Sequence, residues 1–174
     1  MAVIKTSIEG SKERVAAIIV AAGAGVRMGG IDKLFTEVGG IPLLARTIAA
    51  FDASPLVDEI VLVTSESNLD RCWRLVKARG FRKVTELVPG GTRRQDSVQQ
   101  GLAQVTGSQW VLIHDGVRPF VDNSLIAAGL EAAREYGAAV AAVPVKDTIK
   151  VVNADRVVRN TPNRETLWMA QTPQ

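Results

Sequence analysis

The sequence predicts an α/β protein in which helices connect the strands of a mostly parallel sheet. The first observation is Val15–Val20, a continuous apolar run of the kind that forms a strand buried on both faces. The second is that further short apolar runs alternate with segments whose apolar residues recur at helical spacing. The third is composition: 174 residues, 47% hydrophobic and 22% charged, exclude a disordered chain and suffice for one domain.

The first helix is predicted after this strand and a glycine-rich loop. Pro42 fits the first turn of a helix, because a backbone N–H is not needed there. The apolar residues at helical spacing after it are Leu44, Ile48 and Phe51. Ile60–Val63 then predicts the second strand.

The second helix is marked at both of its ends. Asn68 can cap its N-terminus, and Gly80 can end it. The apolar residues expected on one of its faces are Leu69, Cys72, Trp73 and Val76. Val84–Val88 predicts the third strand, and a Pro-Gly-Gly segment follows it.

The third helix has a predicted start at Thr92 and Gln95, which have the spacing of a capping box. Trp110–Ile113 predicts the fourth strand. A helix over about Asn123–Tyr136 and a fifth strand at Ala138–Val143 follow. Consecutive strand, helix and strand segments predict a doubly wound parallel sheet.

The pattern changes after the fifth strand. Ile149–Val152 and Val157–Arg159 flank a polar segment and predict a β-hairpin. Because an isolated hairpin is only marginally stable in water, we expect another surface to cover it. The sequence therefore predicts an arm that packs on a second subunit, with a hairpin folded back on its own domain as the alternative.

Charge and cysteine content restrict the classes of function. A formal charge of +3 is too small to indicate nucleic-acid binding, which needs a basic stripe with stacking aromatic residues. The single cysteine, Cys72, excludes an internal disulfide and a cysteine-built zinc site, and it fits a reducing cytoplasm. The longest apolar run, Val15–Ala22, is too short to span a bilayer, and the charged segment Met1–Arg14 is unlike a signal peptide. We therefore expect a cytoplasmic protein with no nucleic-acid or membrane partner.

A phosphate-binding loop is predicted after the first strand, because ligands of open α/β sheets bind beyond the carboxyl ends of the strands. Ala21–Gly29 is small and glycine-rich, which lets backbone N–H groups approach an anion, and Arg27 and Lys33 add positive charge. Gly23–Met28 reads GxGxxM and no GKS or GKT occurs, so hydride transfer and P-loop hydrolysis are both disfavoured. A tight turn without a ligand stays open as the alternative.

Two further polar segments follow the third and fourth strands. Gly90–Ser97 places glycines, hydroxyls and two arginines at a helix start, where the arginines are unfavourable unless an anion binds. An ordinary capped helix is an equally good interpretation. In His114–Pro119, Asp115 is well placed to hold Mg²⁺ against a triphosphate, and we expect Arg118 to neutralise this carboxylate. We expect His114 to be structural rather than a catalytic base.

Six motifs occur in order between Val15 and Gln174: AAGAGVRMG, DKLF, GGTRRQDSV, HDGVRPF, PVKDTIK and NRETLWMAQTPQ. Together they resemble the 2-C-methyl-D-erythritol 4-phosphate cytidylyltransferases of isoprenoid-precursor synthesis, within the sugar-nucleotidyl transferase superfamily. The resemblance implies a Rossmann-like three-layer sandwich with a mostly parallel sheet and a projecting β-hairpin arm. It also implies transfer of CMP from CTP to methylerythritol phosphate, with release of pyrophosphate, Mg²⁺ as cofactor and a homodimer.

The resemblance assigns roles to individual residues. The pair implied to stabilise the reacting α-phosphate is Arg27 and Lys33. The nucleotide-binding positions are Ala21, Ala22, Gly23, Gly25, Gly90, Ser97, Asp115 and Gly116, with Asp115 also on the metal. The substrate-binding positions are Thr148, Arg164 and Thr172, the first two reaching across from the dimer partner's arm.

The chain departs from the family pattern in two places. Asp32-Lys33-Leu34-Phe35 stands where the family usually has Pro-Lys-Gln followed by an aromatic residue, and we expect Asp32 to weaken the field of Lys33. Family members also continue beyond the last motif, so we expect the C-terminal part of the family fold to be missing. We expect one nucleotidyltransferase domain over residues 1–174, with a nucleotide-binding core over about 15–145 and a dimerisation arm over about 146–163.

Two other functions stay open at this point. A cytidylyltransferase acting on another polyol phosphate, such as ribitol 5-phosphate, would share the loop motifs. A nucleotide-binding module without turnover would fit an incomplete fold. A nucleotide-binding oxidoreductase is less compatible, because it would need a helix directly after Gly25 and an acidic ribose ligand about twenty residues on.

Overall fold

A computed structural model describes residues 13–23 and 32–174 of the chain. The residues up to Asn123 form one compact unit, and Ser124–Gln174 form a second. The expectation of a single domain over residues 1–174, with a core to about 145 and an arm to about 163, stays a prediction.

The first unit is an α/β layer structure. Its elements are β1 (Val15–Ala21), β2 (Glu37–Val38), β3 (Ile41–Pro42), α1 (Leu43–Asp52), β4 (Glu59–Thr64), α2 (Leu69–Arg79), β5 (Val84–Pro89), α3 (Arg94–Leu102) and β6 (Trp110–Asp115). Strands β5, β4, β1 and β6 lie side by side in that order, and all their pairings are parallel. The predicted α/β class and the first four predicted strands are confirmed.

The core explains why β1 is apolar along its whole length. β1 has β4 on one side and β6 on the other, and Ile18 packs in a buried cluster with Val61 and Val63 of β4. Partly buried side chains extend this cluster at Val20, Val88, Val105 and Val111. A central strand of this kind is covered on both faces. An alternation of apolar and polar residues along it would therefore place polar side chains in the core.

The helix ends agree in position with the sequence signals except in α3, although Pro42 precedes α1 and the side chain of Asn68 makes no capping hydrogen bond. α1 begins directly after Pro42, and α2 follows Asn68 and ends at Gly80, whose φ is +67°. The predicted Thr92–Gln95 capping box is wrong by one residue. Arg93 is the N-cap residue of α3, and its backbone N–H donates to Asp96 Oδ2 at 3.0 Å. A carboxylate is a stronger acceptor than an amide oxygen, and it also favours the positive end of the helix dipole.

The second unit contains one α-helix, which begins at the boundary residue Asn123, a short 3₁₀ helix (Arg164–Thr166) and two small antiparallel sheets. Its elements are α4 (Asn123–Tyr136), β7 (Ala142–Pro144), β8 (Val151–Val152), β9 (Val158–Asn160) and β10 (Trp168–Ala170). β7 pairs antiparallel with β10. The fifth strand predicted at Ala138–Val143 is therefore wrong in its bounds and in its parallel pairing. The alanine-rich start of that segment has little tendency to form a strand.

The predicted hairpin is confirmed, with slightly shifted strand bounds. β8 and β9 pair antiparallel through Val151 with Asn160 and through Val152 with Val158. At the turn, Asn153 Oδ1 accepts a hydrogen bond from Val157 N at 2.8 Å, and Arg156 has a φ of +62°. We call residues 151–160 the hairpin arm.

Candidate active site

The carboxyl ends of the parallel strands meet at one edge of the sheet. β1 and β6 are in register at Val20 and Asp115, and Gly116 N donates to Val20 O at 2.8 Å. On the other side, Gly90 N donates to Thr64 O of β4 at 2.8 Å. We call this the carboxyl edge. It brings together the ends of three predicted motifs that are far apart in sequence.

Two glycines of this edge lie in close contact with their neighbours: a side chain at Gly90 would clash, and one at Gly116 would need its neighbours to shift. A Cβ atom on Gly90 would lie 2.4 Å from Ala22 Cβ and 2.6 Å from Ser97 Oγ. A Cβ atom on Gly116 would lie 3.0 Å from Ala21 Cβ. The small side chains of Ala21 and Ala22 and the two glycines therefore let three backbone segments approach one another. Exposed backbone groups on such converging segments can bind a nucleotide.

Ser97 is 2% exposed, and its hydroxyl is hydrogen-bonded to the backbone next to Gly90. Its Oγ accepts a hydrogen bond from Gly91 N at 3.1 Å and donates to Arg93 O at 3.4 Å. The hydroxyl therefore has backbone partners in this structure, and its assignment to the nucleotide stays a prediction. Gly23 lies at the exit of β1, whereas Gly25 and Arg27 lie outside the described residues.

Asp115 forms ion pairs with two arginines. Its Oδ1 accepts from Arg94 Nε at 3.1 Å, and its Oδ2 accepts from Arg118 Nε at 3.0 Å. The pairing with Arg118 was expected from the sequence, whereas the pairing with Arg94 was missed. The signal for it was the pair of arginines at the start of α3, which needs an anion. Asp115 supplies that anion for Arg94.

The other arginine at this helix start also pairs within the chain. Arg93 Nη2 donates to Asp96 Oδ1 at 2.8 Å. The hydrogen bonds from Arg93 hold the pKa of the Asp96 carboxyl below its usual value. The capped-helix interpretation therefore accounts for Arg93, and Arg94 alone turns toward the carboxyl edge.

His114 is buried beneath the same edge. Its Nε2 lies 2.9 Å from Arg118 O, and its ring centroid lies 4.9 Å from that of Phe51, with the two ring planes tilted by 59°. Because a carbonyl can only accept, Nε2 carries the proton. Burial lowers the pKa of the imidazole, against a smaller opposing effect of the Arg118 hydrogen bond. A neutral histidine that fixes the Arg118 loop agrees with the structural role expected for it.

Lys33 lies in a turn that is anchored to the start of α1. We call residues Asp32–Thr36 the Lys33 turn. Leu34 is buried, its carbonyl accepts from Leu44 N at 2.9 Å, and the carbonyl of Thr36 accepts from Leu43 N at 2.9 Å. The turn thus satisfies N–H groups that a helix leaves without partners in its first turn. Lys33 itself is half-buried and makes no ion pair with any carboxylate that the structure describes.

The predicted substrate residues lie in the second unit. Thr148 is exposed, and Arg164 Nη1 donates to Lys146 O at 3.2 Å, which joins the first residue of the 146–163 segment to the residue that follows it. Thr172 is buried near the last residue of the chain. The assignment of Thr148, Arg164 and Thr172 to a substrate site stays a prediction.

The family model for 2-C-methyl-D-erythritol 4-phosphate cytidylyltransferase matches residues 15–174. The chain belongs to this family. A family member from Dehalococcoides mccartyi is 51% identical over 162 residues, which is 93% of this chain and 71% of the relative. The family assignment made from the ordered motifs is confirmed.

Solved structures of the family agree with the fold. The 4-diphosphocytidyl-2C-methyl-D-erythritol synthase of Anaerococcus prevotii has a TM-score of 0.80 at 34% identity, over 92% of this chain and 69% of that chain. The cytidylyltransferase of Francisella tularensis has a TM-score of 0.71 at 27% identity, over 92% of this chain and 71% of that chain. The family is one of nucleotidyltransferases, so the predicted enzyme class is confirmed.

The carboxyl edge fits a magnesium ion that takes part of its ligands from the protein and the rest from a nucleotide and water. Within the described residues, no three His, Cys, Asp or Glu side chains form a ready metal site. Mg²⁺ commonly binds one or two carboxylates together with substrate phosphates and water, and Asp115 offers such a carboxylate. To bind the ion, Asp115 must share its oxygens with Arg94 and Arg118 or release one of them.

The described ranges 13–23 and 32–174 contain no candidate membrane-spanning helix. None of the helices there is both long and apolar enough to cross a bilayer.

Proposed function

We propose that this chain transfers CMP from CTP to the phosphate of 2-C-methyl-D-erythritol 4-phosphate and releases pyrophosphate. The observation that carries the proposal is the family match over residues 15–174, which includes every motif of the carboxyl edge. That edge has the close backbone approach and the charged groups that binding a triphosphate needs.

The reaction needs no general base. The phosphate of methylerythritol phosphate is already an anionic nucleophile at neutral pH, which suits a site whose histidine is buried and neutral. The site must instead bring two anions together and stabilise the charge that grows on the α-phosphoryl oxygens. Arg27 and Lys33 are proposed for that stabilisation.

The nucleotide is proposed to bind along the carboxyl edge. Backbone groups of Ala21, Ala22, Gly23 and Gly25 would hold the phosphates. The cytidine and ribose would lie near Gly90, Ser97 and Gly116. Asp115 is proposed to hold Mg²⁺, an ion that would neutralise part of the triphosphate charge when bound. The hydrogen bonds from Arg94 and Arg118 hold this carboxylate at the edge.

The hairpin arm is proposed to make a homodimer. Its valines are exposed in the single chain, Val157 by 61% and Val158 by 53%, and burial of such side chains favours association. Thr148 and Arg164 would then act in the partner's substrate site, and Thr172 in a matching segment. We also propose a cytoplasmic location, with Cys72 as a free, buried thiol.

A nucleotide panel read by pyrophosphate release tests the proposed function. CTP with methylerythritol phosphate should release pyrophosphate, whereas ATP, GTP and UTP should not. Preference for ribitol 5-phosphate would replace the proposed substrate by another polyol phosphate. Binding of CTP in calorimetry without release of pyrophosphate would indicate a nucleotide-binding module. The Lys33→Ala variant is the control for contaminating activity.

A further inference from the structure

Asp32 stands directly before Lys33. In the proposed function, Lys33 stabilises the charge on the α-phosphate. A carboxylate beside a lysine offsets part of the field of the ammonium group. In the structure, however, the Asp32 carboxylate has a different partner. Its Oδ2 accepts a hydrogen bond from Arg71 Nη1 at 3.3 Å, across 39 residues of sequence.

Arg71 is held in place by a second contact with the same turn. Its guanidinium carbon lies 3.6 Å from the centroid of the Phe35 ring, so the planar group stacks on the ring. Arg71 belongs to the first turn of α2, whereas Asp32 and Phe35 flank Lys33. Helix α2 therefore contacts the Lys33 turn on both sides of the lysine in sequence.

The backbone of the turn does not depend on Arg71. Buried Leu34 and the hydrogen bonds from Leu43 and Leu44 already anchor it to α1. What Arg71 adds is control of one carboxylate. The pair is also too exposed to matter much for folding, because Arg71 is 52% and Asp32 38% exposed, and such pairs contribute little to stability.

We propose that Arg71 is a positioning residue for nucleotidyl transfer: it withdraws the Asp32 carboxylate from Lys33 and leaves the ammonium charge to the nucleotide phosphate. This rests on the proposed function only in the role given to Lys33. It also accounts for an aspartate directly before that lysine, since the charge of the aspartate is offset by α2.

A suppressor experiment tests this role. Arg71→Ala should lower kcat about three- to tenfold, because the freed carboxylate then acts on Lys33, and KM for CTP should change less than twofold. Asp32→Asn removes the carboxylate and should leave kcat near wild type. The double variant should recover to within about twofold of wild type. Arg79→Ala, which removes an exposed arginine at the end of the same helix, is the matched control and should have no effect.

Two kinetic results would overturn the proposal. If the double variant is as slow as Arg71→Ala, the loss comes from missing support of the turn and not from the carboxylate. If Asp32→Asn alone is as slow as Arg71→Ala, activity requires the ion pair itself, and the freed carboxylate is not the cause of the loss.

A second readout works without any substrate. Acetylation of the Lys33 amine by an N-hydroxysuccinimide ester can be followed by mass spectrometry of the Lys33 peptide. A freed Asp32 carboxylate can form an ion pair with Lys33 and hold the amine away from the reagent, so Arg71→Ala should slow labelling about threefold and the double variant should restore it.

This readout separates the two failures. If wild type releases no pyrophosphate but the labelling pattern holds, the proposed function is wrong and the charge arrangement stands. If wild type is active but neither kcat nor labelling responds to Arg71→Ala, only the role of Arg71 is wrong.

Discussion

The carboxyl edge of the sheet and the hairpin arm are built by opposite means. At the edge, polar groups are buried or paired: Ser97 hydrogen-bonds backbone atoms, and Asp115 is held by two arginines. In the arm, apolar side chains such as Val157 are exposed and two short strands are joined by few hydrogen bonds. A preorganised site needs the first kind of construction, because its groups must not move when charge develops. The second kind is complete only when another surface covers it.

The largest expected effect comes from removing a cation that is proposed to stabilise the reacting α-phosphate. Lys33→Ala should lower kcat by about 10²–10³, because the lysine faces charge that grows only during transfer. Arg27→Ala should behave in the same way. CTP affinity, measured by calorimetry, should change far less. Near-normal turnover in Lys33→Ala would show that Lys33 takes no part in the chemistry.

The second effect concerns the metal. Asp115→Asn keeps the shape of the side chain but removes a hard anionic ligand, so Mg²⁺-supported CTP binding should weaken by about tenfold, or 1.4 kcal/mol. The measurement is a calorimetric titration of CTP at increasing Mg²⁺ concentration. Equal Mg²⁺ dependence in the two proteins would make Asp115 purely a partner for Arg94 and Arg118.

The third prediction compares packing in two glycines. Gly90→Ala forces a Cβ against Ala22 and Ser97 and should destabilise the fold by about 1–3 kcal/mol while weakening CTP binding. Gly129→Ala, in helix α4 with open space at its Cβ position, should instead stabilise by about 0.5–1 kcal/mol. Thermal unfolding followed by circular dichroism measures both. A Gly90→Ala protein that unfolds at the wild-type temperature and binds CTP normally would contradict the close packing of the edge.

The fourth prediction connects the edge with the arm. A mixed dimer of Lys33→Ala and Arg164→Ala subunits should regain about half of wild-type activity if the arm crosses over, because one site then carries both changes and the other neither. If the arm serves its own subunit, each site keeps one change and activity stays at the level of the single variants. Light scattering at the working concentration is the control, and a monomer there would refute the arm as a dimer contact.

The smallest effect is a pH dependence of stability. Because burial lowers the pKa of His114 below its ordinary value of 6.5, the unfolded chain binds a proton that the folded chain does not. The stabilisation of the folded state that depends on a neutral His114 is therefore complete above pH 6.5 and is lost as the pH falls below that value. The unfolding temperature of wild type should drop more steeply between pH 7 and 5 than that of His114→Gln. Parallel curves would show that His114 is not buried as the neutral form.

Local signals in the sequence predicted the α/β class, four of the strands and the hairpin. They failed at the start of α3 and at the fifth predicted strand. The capping box of α3 uses Asp96 rather than Gln95, and the strand near Val143 pairs antiparallel with β10. Neither choice can be made without knowing which groups approach in space.

The sequence by itself determined the sheet and the small-residue loops of the carboxyl edge, because apolar runs and glycine positions act over a few neighbouring residues. Only the tertiary structure decided which charges pair between segments that are far apart in the sequence. Arg94 meets Asp115 across 21 residues, and Arg71 meets Asp32 across 39. The energy of such an ion pair depends on the distance between the two charges in space. That distance leaves no periodic pattern along the chain.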